Sequence, residues 1–497
     1  MPRRSRTGAA ALVLALALTS GCTGQQAGGP TPAASAPASS TPAGSLPTPA
    51  PAALSWSPCE RGFECATLRV PQADPGLAVT RRRATGARIG SLVVNPGGPG
   101  VSAVDSLQAS AGSLPPLLRD RFDLVAVDPR GVGRSGAVRC ATTADLDRYL
   151  ALDPSPDTPA ELTALEQGSR ALAQGCAERS GPLLSQVSTR RAAEDLDVLR
   201  AALGDEQLTY LGYSYGTAIG AAYLAAYPTR VRAMVLDGAL DPTLTWDALL
   251  GDQGRGFDRA LEALLADCER TRCAFRGVVS GDLAAAYDAL AARVEQTPLP
   301  GSAGRLLGPG ELSLGVGQGL YSRTYGWPAV AEALAAAQGG DGGPLLALSD
   351  AYLDRTPAGY APVTESNLAV TCVDRPWPRE TQAYLDLAAV LARDAPRFGP
   401  AIALSGLPCA SWPTPPVSVP ALVPGAGGPP VVVIGTTNDP ATPYAWSVAL
   451  AGQLDRGVLL THVGDGHTVY RVGAPACITE PVGDYLVTGR APAPARC

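Results

Sequence analysis

The sequence predicts an α/β fold: a mostly parallel sheet flanked by helices, with an inserted helical cap. Three observations predict it. Short apolar runs alternate with helical spacing from about residue 92 to 236, the interval from about 245 to 420 holds helical patterns without a convincing buried strand, and strand–helix order resumes at Val431. Strands alternating with crossover helices build a parallel sheet covered on both faces, and a helical interval inside that rhythm reads as a cap.

Arg3, Arg4 and Arg6 precede an unbroken apolar run from Ala9 to Leu18, closed by Thr19-Ser20-Gly21-Cys22. This is the pattern of an export signal over residues 1–22, and the run is too short to cross a bilayer core of roughly 30 Å. Leu18-Thr19-Ser20-Gly21-Cys22 resembles a bacterial lipoprotein box, with Thr19 where leucine is usual; lipidation would make Cys22 the mature N-terminus. Residues 23–55 are mainly Ala, Pro, Ser, Thr and Gly. Such a segment buries too little surface to offset its ordering entropy, so it reads as a disordered tether.

From Trp56 the folded part begins, with strand-like and helix-like segments expected to alternate from there onward. Leu92-Val93-Val94 is a strand ending at Asn95-Pro96-Gly97-Gly98-Pro99-Gly100, and Phe122 to Val127 is another, ending at Asp128-Pro129-Arg130-Gly131. Ala193, Leu196, Leu199 and Leu203 recur at helical spacing before Gly204. Leu208 to Leu211 is a strand running into Gly212-Tyr213-Ser214-Tyr215-Gly216, a small-residue helix follows, and Val231 to Leu236 is the next strand. Helical patterns at 252–268, 281–296, 327–338 and 381–394 fill the cap. Val431 to Ile434, a helix near Tyr444 to Leu454, and Val458 to His462 complete the sheet. The expected division is 56–245 for the first part of the core, 246–420 for the cap and 421–497 for the C-terminal part of the core.

Composition narrows the chemistry. The net charge is −6 over 497 residues, without the basic surplus of a nucleic-acid binder. All 39 basic residues are arginine, which removes Schiff-base and Ser–Lys chemistry. The two histidines, His462 and His467, are too few for a multi-histidine metal site. No metal and no cofactor is expected. Setting Cys22 aside, the cysteines number ten and lack C-x-x-C spacing. In chain order they pair as Cys59–Cys65, Cys140–Cys176, Cys268–Cys273, Cys372–Cys409 and Cys477–Cys497. Spacing does not fix that connectivity, but an even set in an exported chain points to an oxidising compartment.

Gly212-Tyr213-Ser214-Tyr215-Gly216 matches G-x-S-x-G, the nucleophile elbow of the α/β-hydrolase fold, and lies between an apolar strand and a small-residue helix as that elbow requires. An attacking serine needs a base. His462 lies inside an apolar strand, whereas His467 follows in a glycine-rich loop beyond the strand's carboxyl end, where such sheets gather reactive groups. The acid must fall between serine and histidine in chain order. Asp439 and Asp237 both qualify; Asp439 precedes His467 by one strand–helix–strand unit and is the choice, with Asp237 otherwise a structural turn carboxylate. The oxyanion needs two amides: Tyr215, just after the nucleophile, and Gly98 in the loop after Leu92-Val93-Val94, with Gly97 as an alternative. Asp128 to Ser135 reads as a structural loop near the site.

These motifs resemble the actinobacterial tripeptidyl aminopeptidases, secreted α/β-hydrolases related to the proline iminopeptidases. The resemblance rests on Asn95 to Gly100, Asp128 to Gly131, Gly212 to Thr217, Asn438-Asp439-Pro440 and Gly466-His467-Thr468, spread over residues 95 to 468. Iminopeptidases carry His-Gly-Gly-Pro-Gly where this chain has Pro96-Gly97-Gly98-Pro99-Gly100, which sides it with the tripeptidyl group. The resemblance implies metal-free removal of short peptides, tripeptides among them, from free N-termini through an acyl-enzyme. Peptide substrates are the expected partners, and the membrane is met only through the lipid anchor. A carboxylesterase or lipase with the same triad, and a non-enzymatic surface lipoprotein, are the competing expectations. Glu365 and Asp374 in the cap are candidates to bind a substrate ammonium; as ordinary structural acids they would be exposed.

Overall fold

A computed structural model describes residues 53–73, 76–417 and 427–497. The leader, Cys22 and residues 23–52 of the tether lie outside the described residues.

Ten strands form one sheet. In sheet order they are Ser57–Pro58, Glu64–Leu68, Leu77–Arg82, Phe122–Val127, Gly90–Asn95, Leu208–Tyr213, Val231–Asp237, Val431–Asn438, Gly457–Asp465 and Ala495–Arg496. The seven from Phe122–Val127 onward run parallel. The first three do not follow the β–α rhythm expected from Trp56. They pair antiparallel, because the links between them are too short for a crossover helix. Between Phe122–Val127 and Leu208–Tyr213 stand two helices that periodicity did not reveal, Thr143–Leu150 and Pro159–Ser180. Their signals were the capping boxes: Thr142 with Asp145 and Thr158 with Glu161 satisfy each other's backbone amides.

Apolar residues line both faces of the sheet. Leu77, Val93, Val125, Tyr210, Met234, Leu236 and Val433 fill one face; Leu92, Leu124, Leu211, Val235, Val432, Ile434 and Leu460 fill the other. The helical interval opens with Trp246–Thr271 and ends with Leu407–Ala410. Its strands are two-residue antiparallel pairs, Leu299–Pro300 with Leu306–Leu307 and Arg355–Thr356 with Gly359–Tyr360. It has its own core, built on Leu261, Phe275, Leu290, Val316, Leu320, Val330, Leu334 and Leu345. Truncating one of these buried leucines to alanine costs about 2–5 kcal/mol. This part of the cap has a core of its own, whereas Ala369, Val370, Val373 and Cys409 pack into the core of the sheet.

Five disulfides join Cys59–Cys65, Cys140–Cys176, Cys268–Cys273, Cys372–Cys409 and Cys477–Cys497. The two spanning 36 and 37 residues restrict the unfolded chain most, by about 4 kcal/mol each in the chain-entropy account. Cys477–Cys497 fixes the C-terminus beside the Gly457–Asp465 strand, where the Cys497 amide donates to the Thr461 carbonyl at 2.9 Å. Among the described residues, no helix is long and apolar enough to cross a membrane.

Candidate active site

Ser214 sits between the Leu208–Tyr213 strand and the Tyr215–Ala226 helix at φ 52°, ψ −126°, a conformation that costs a non-glycine residue about 1–3 kcal/mol. Close backbone packing dictates the flanking glycines. A Cβ on Gly212 would stand 2.6 Å from the Gly216 carbonyl oxygen, and one on Gly216 2.8 Å from the Asn95 carbonyl oxygen. The turn is held from outside as well: the Ser214 amide donates to the Asp237 carbonyl at 2.9 Å, and Thr217 Oγ1 donates to the Ser214 carbonyl at 2.6 Å.

The loop after Gly90–Asn95 lies against this turn. A Cβ on Gly97 would be 2.8 Å from Ser214 Cβ and 3.0 Å from the Tyr215 nitrogen. The Gly97 amide is already engaged, donating to Asn95 Oδ1 at 2.9 Å, whereas the Gly98 and Tyr215 amides have no acceptor among the described residues. Of the two glycines weighed from the sequence, Gly98 is thus the one with a proton to offer. Asn95 had been read only as part of a glycine turn; it occupies Gly97 and packs on Gly216.

The other two candidates leave the sheet side by side, because parallel register sets Asn438 opposite Asp465. Asp439 follows the first strand by one residue and His467 the second by two. His467 Nδ1 lies 2.9 Å from both carboxylate oxygens of Asp439. The amides of Ala441 and Thr442 donate to Asp439 Oδ1 at 2.9 and 2.8 Å, so the carboxylate is held by its own turn. Thr442 Oγ1 donates to Asp439 Oδ2 at 3.0 Å and lies 3.2 Å from His467 Nδ1. Sequence reading missed this threonine, since a hydroxyl three residues after an aspartate carries no catalytic pattern.

Burial alone would lower the imidazole pKa. The charge and hydrogen bond of Asp439, with the nearby charge of Asp237, outweigh it and hold His467 above the ordinary histidine value. The Ser214 hydroxyl makes no hydrogen bond to the imidazole in this structure. The Ser214 backbone and the imidazole nonetheless meet the same stretch of chain: the Asp237 carbonyl accepts the Ser214 amide, and a Cβ on Gly238 would stand 3.2 Å from His467 Cε1. Such contacts are commonly loose without substrate and tighten when it binds.

The remaining candidates resolve differently. Asp237 is fully buried and accepts the Val469 and Tyr470 amides at 2.8 and 2.7 Å on Oδ2, so it holds the chain just beyond His467 and not the ring. His462 stays within its strand, where burial lowers its pKa and Nδ1 meets no partner among the described residues. Glu365 and Asp374 are buried, not exposed. The Val363–Asp374 helix that carries them is pressed onto core loops. Glu365 Oε1 accepts the amides of Cys140 and Ala141, and Asp374 accepts the Thr189 amide at 2.8 Å and its hydroxyl at 2.5 Å. Asp374 thus uses both oxygens on Thr189, whereas Glu365 Oε2 has no hydrogen-bond partner among the described residues and lies 3.6 Å from Arg139 Nη1. In the Asp128–Gly131 loop, Arg130 pairs with buried Asp195 at 2.6 and 2.8 Å, and Asp128 accepts from Ser102, Val104 and Arg134.

The α/β hydrolase fold model matches residues 90–277, and the model described as TAP-like protein matches residues 395–497. The chain is 38% identical over 469 residues to serine protease Hip1 of Mycobacterium tuberculosis, covering 88% of this chain and 89% of that one. It is 39% identical over 464 residues to carboxylesterase B of the same organism, covering 88% of each. A tripeptidyl aminopeptidase of Streptomyces lividans is 32% identical over 464 residues, covering 88% of this chain and 85% of that one.

Proposed function

The chain belongs to the α/β-hydrolase family, in its TAP-like group of serine hydrolases, and from that premise we propose that it is an exported serine exopeptidase releasing short peptides, tripeptides among them, from free N-termini. The observation that carries the proposal is a serine in a strained elbow, with Gly97 of the neighbouring loop packed against it and the Gly98 and Tyr215 amides uncommitted. That arrangement suits an oxyanion forming on a carbonyl attacked by Ser214.

In this reading His467 takes the hydroxyl proton as Ser214 attacks, and Asp439 fixes the ring through Nδ1 and stabilises the imidazolium. The Gly98 and Tyr215 amides hold the oxyanion, each contributing about 3 kcal/mol to barrier lowering. His467 then passes the proton to the leaving amine, and water releases the acyl-enzyme by the same steps in reverse. Export is supported by the leader over residues 1–22 and by five disulfides. Lipidation at Cys22 would add membrane anchorage.

A peptide library digested by the protein lacking its leader, and read by mass spectrometry, tests this reading. Products should be short N-terminal fragments, absent from N-acetylated peptides and absent with Ser214→Ala. Turnover of p-nitrophenyl esters with no peptide released would instead establish a carboxylesterase. That second reading is favoured by the carboxylesterase relative and by the engagement of Glu365 and Asp374 with backbone amides.

A further inference from the structure

The cap reaches the histidine loop through a short stretch after the Pro309–Leu320 helix. The Tyr321 carbonyl accepts the His467 amide at 2.9 Å, and a Cβ on Gly466 would come within 2.9 Å of that same oxygen. The Tyr321 ring stands edge-on to the imidazole with centroids 5.2 Å apart. Two residues further, Arg323 Nη1 donates to Asp465 Oδ2 at 2.7 Å, and Arg323 Nη2 reaches Asp267 of the cap at 2.9 Å. The other oxygen of Asp465 accepts from Asn438 Nδ2 at 2.8 Å.

Asp465 thus joins three pieces of chain: the cap, the loop bearing Asp439 through its neighbour Asn438, and the loop bearing His467 two residues on. That last loop leaves the end of the Gly457–Asp465 strand through Gly466, which adopts φ 106°, where glycine is at ease and other residues are not. We propose that Asp465 is a positioning residue: with Arg323 it fastens the acid and base loops to the cap, so that the imidazole is held where substrate binding can bring it onto the Ser214 hydroxyl. This rests on the Ser214–His467–Asp439 reading.

A purely structural ion pair would behave otherwise. Arg323 is about half exposed and Asp465 16% exposed, and pairs of that kind add little to folding stability. Alignment of a catalytic base is far more sensitive, since a displacement of about 1 Å costs up to about 100-fold in rate. Rate and stability should therefore separate.

The test uses p-nitrophenyl ester turnover and the rate of fluorophosphonate labelling at Ser214. Both report on hydroxyl activation whichever peptide is the natural substrate, so a failed peptidase assay leaves them standing. Arg323→Ala and Asp465→Asn should each lower kcat about ten-fold with KM little changed and the melting temperature held. The double variant should be no slower than the slower single one, and Arg323→Lys should recover most of the rate. Should Asp465→Asn fold poorly, the exposed Arg323 variants decide alone. Unchanged kcat, multiplying effects, or a loss confined to KM or to melting temperature would each overturn the proposal.

Discussion

Of two neighbouring strands, Val231–Asp237 ends at a buried aspartate and Val431–Asn438 is followed at once by another, Asp439, yet the two carboxylates do different work. Asp439 takes its two amides from its own turn, Ala441 and Thr442, and keeps both oxygens 2.9 Å from His467 Nδ1. Asp237 takes its amides from Val469 and Tyr470, just beyond the histidine, and its Oδ1 meets no partner among the described residues. One aspartate holds the ring; the other holds the backbone that presents it. Burial pushes the Asp237 carboxyl up to about 6, even against its two amide bonds and the imidazole charge. Position at a strand end does not define the triad acid. The donors that reach each oxygen do.

The sharpest way to break this contrast is to amidate each carboxylate. Asp439→Asn should lower kcat on an ester about 10⁴-fold, as amidation of the acid does in other serine triads. The acid limb of its pH–rate profile should also move to lower pH, because His467 loses the charge that holds its pKa up. Asp237→Asn should change kcat only a few-fold, and equal losses would mean the two carboxylates share the task. Next in size, Asp237→Ala strands the Val469 and Tyr470 amides without an acceptor. That should destabilise the fold by about 2–5 kcal/mol in urea unfolding. A change below about 1 kcal/mol would mean that loop is held by other contacts.

The third prediction follows from linkage. Because the folded state holds the Asp237 proton more tightly than the unfolded chain does, this residue favours folding toward pH 4, and that contribution is lost as pH rises to about 6. A pKa raised from about 4 to about 6 corresponds to about 3 kcal/mol at most. Asparagine carries no proton to lose. Relative to wild type, Asp237→Asn should therefore gain stability between pH 4 and pH 7. Parallel stability curves for the two proteins would remove the claim. Asp374, also raised to about 6 by burial, titrates alike in both and cancels.

How much of this was legible without coordinates depends on the kind of signal. Gly212-Tyr213-Ser214-Tyr215-Gly216 and the loop Asn95 to Gly100 stood out because close backbone approach demands glycine at fixed offsets. The choice of Asp439 over Asp237 came from counting strand–helix units, and the hydrogen bonds to His467 now distinguish them directly. The antiparallel strands before Gly90 were not seen, since two to six residues of mixed polarity carry too little period. Exposure of Glu365 and Asp374 was misjudged because a charged residue's burial depends on what packs over its helix, which local sequence does not record. Tyr321 and Arg323 act through distant partners, and a hydroxyl three residues after an aspartate, as at Thr442, is too common to signal a role.

The smallest expected effect lies within the Asp439 side of the contrast. Thr442 Oγ1 lies between carboxylate and ring, 3.0 Å from Asp439 Oδ2 and 3.2 Å from His467 Nδ1. Asp237 shows no side-chain hydroxyl in the corresponding place. Thr442→Val keeps the shape and removes the donor, leaving a buried carboxylate oxygen with one bond fewer. The Thr442 amide remains on Asp439, so the turn should survive and KM should hardly change. Loss of about ten-fold in kcat is expected, with Thr442→Ser near wild type, measured on a single ester at saturating concentration. Should valine serve as well as threonine, the carboxylate is fixed by its backbone amides alone, and the hydroxyl belongs with the packing of the loop.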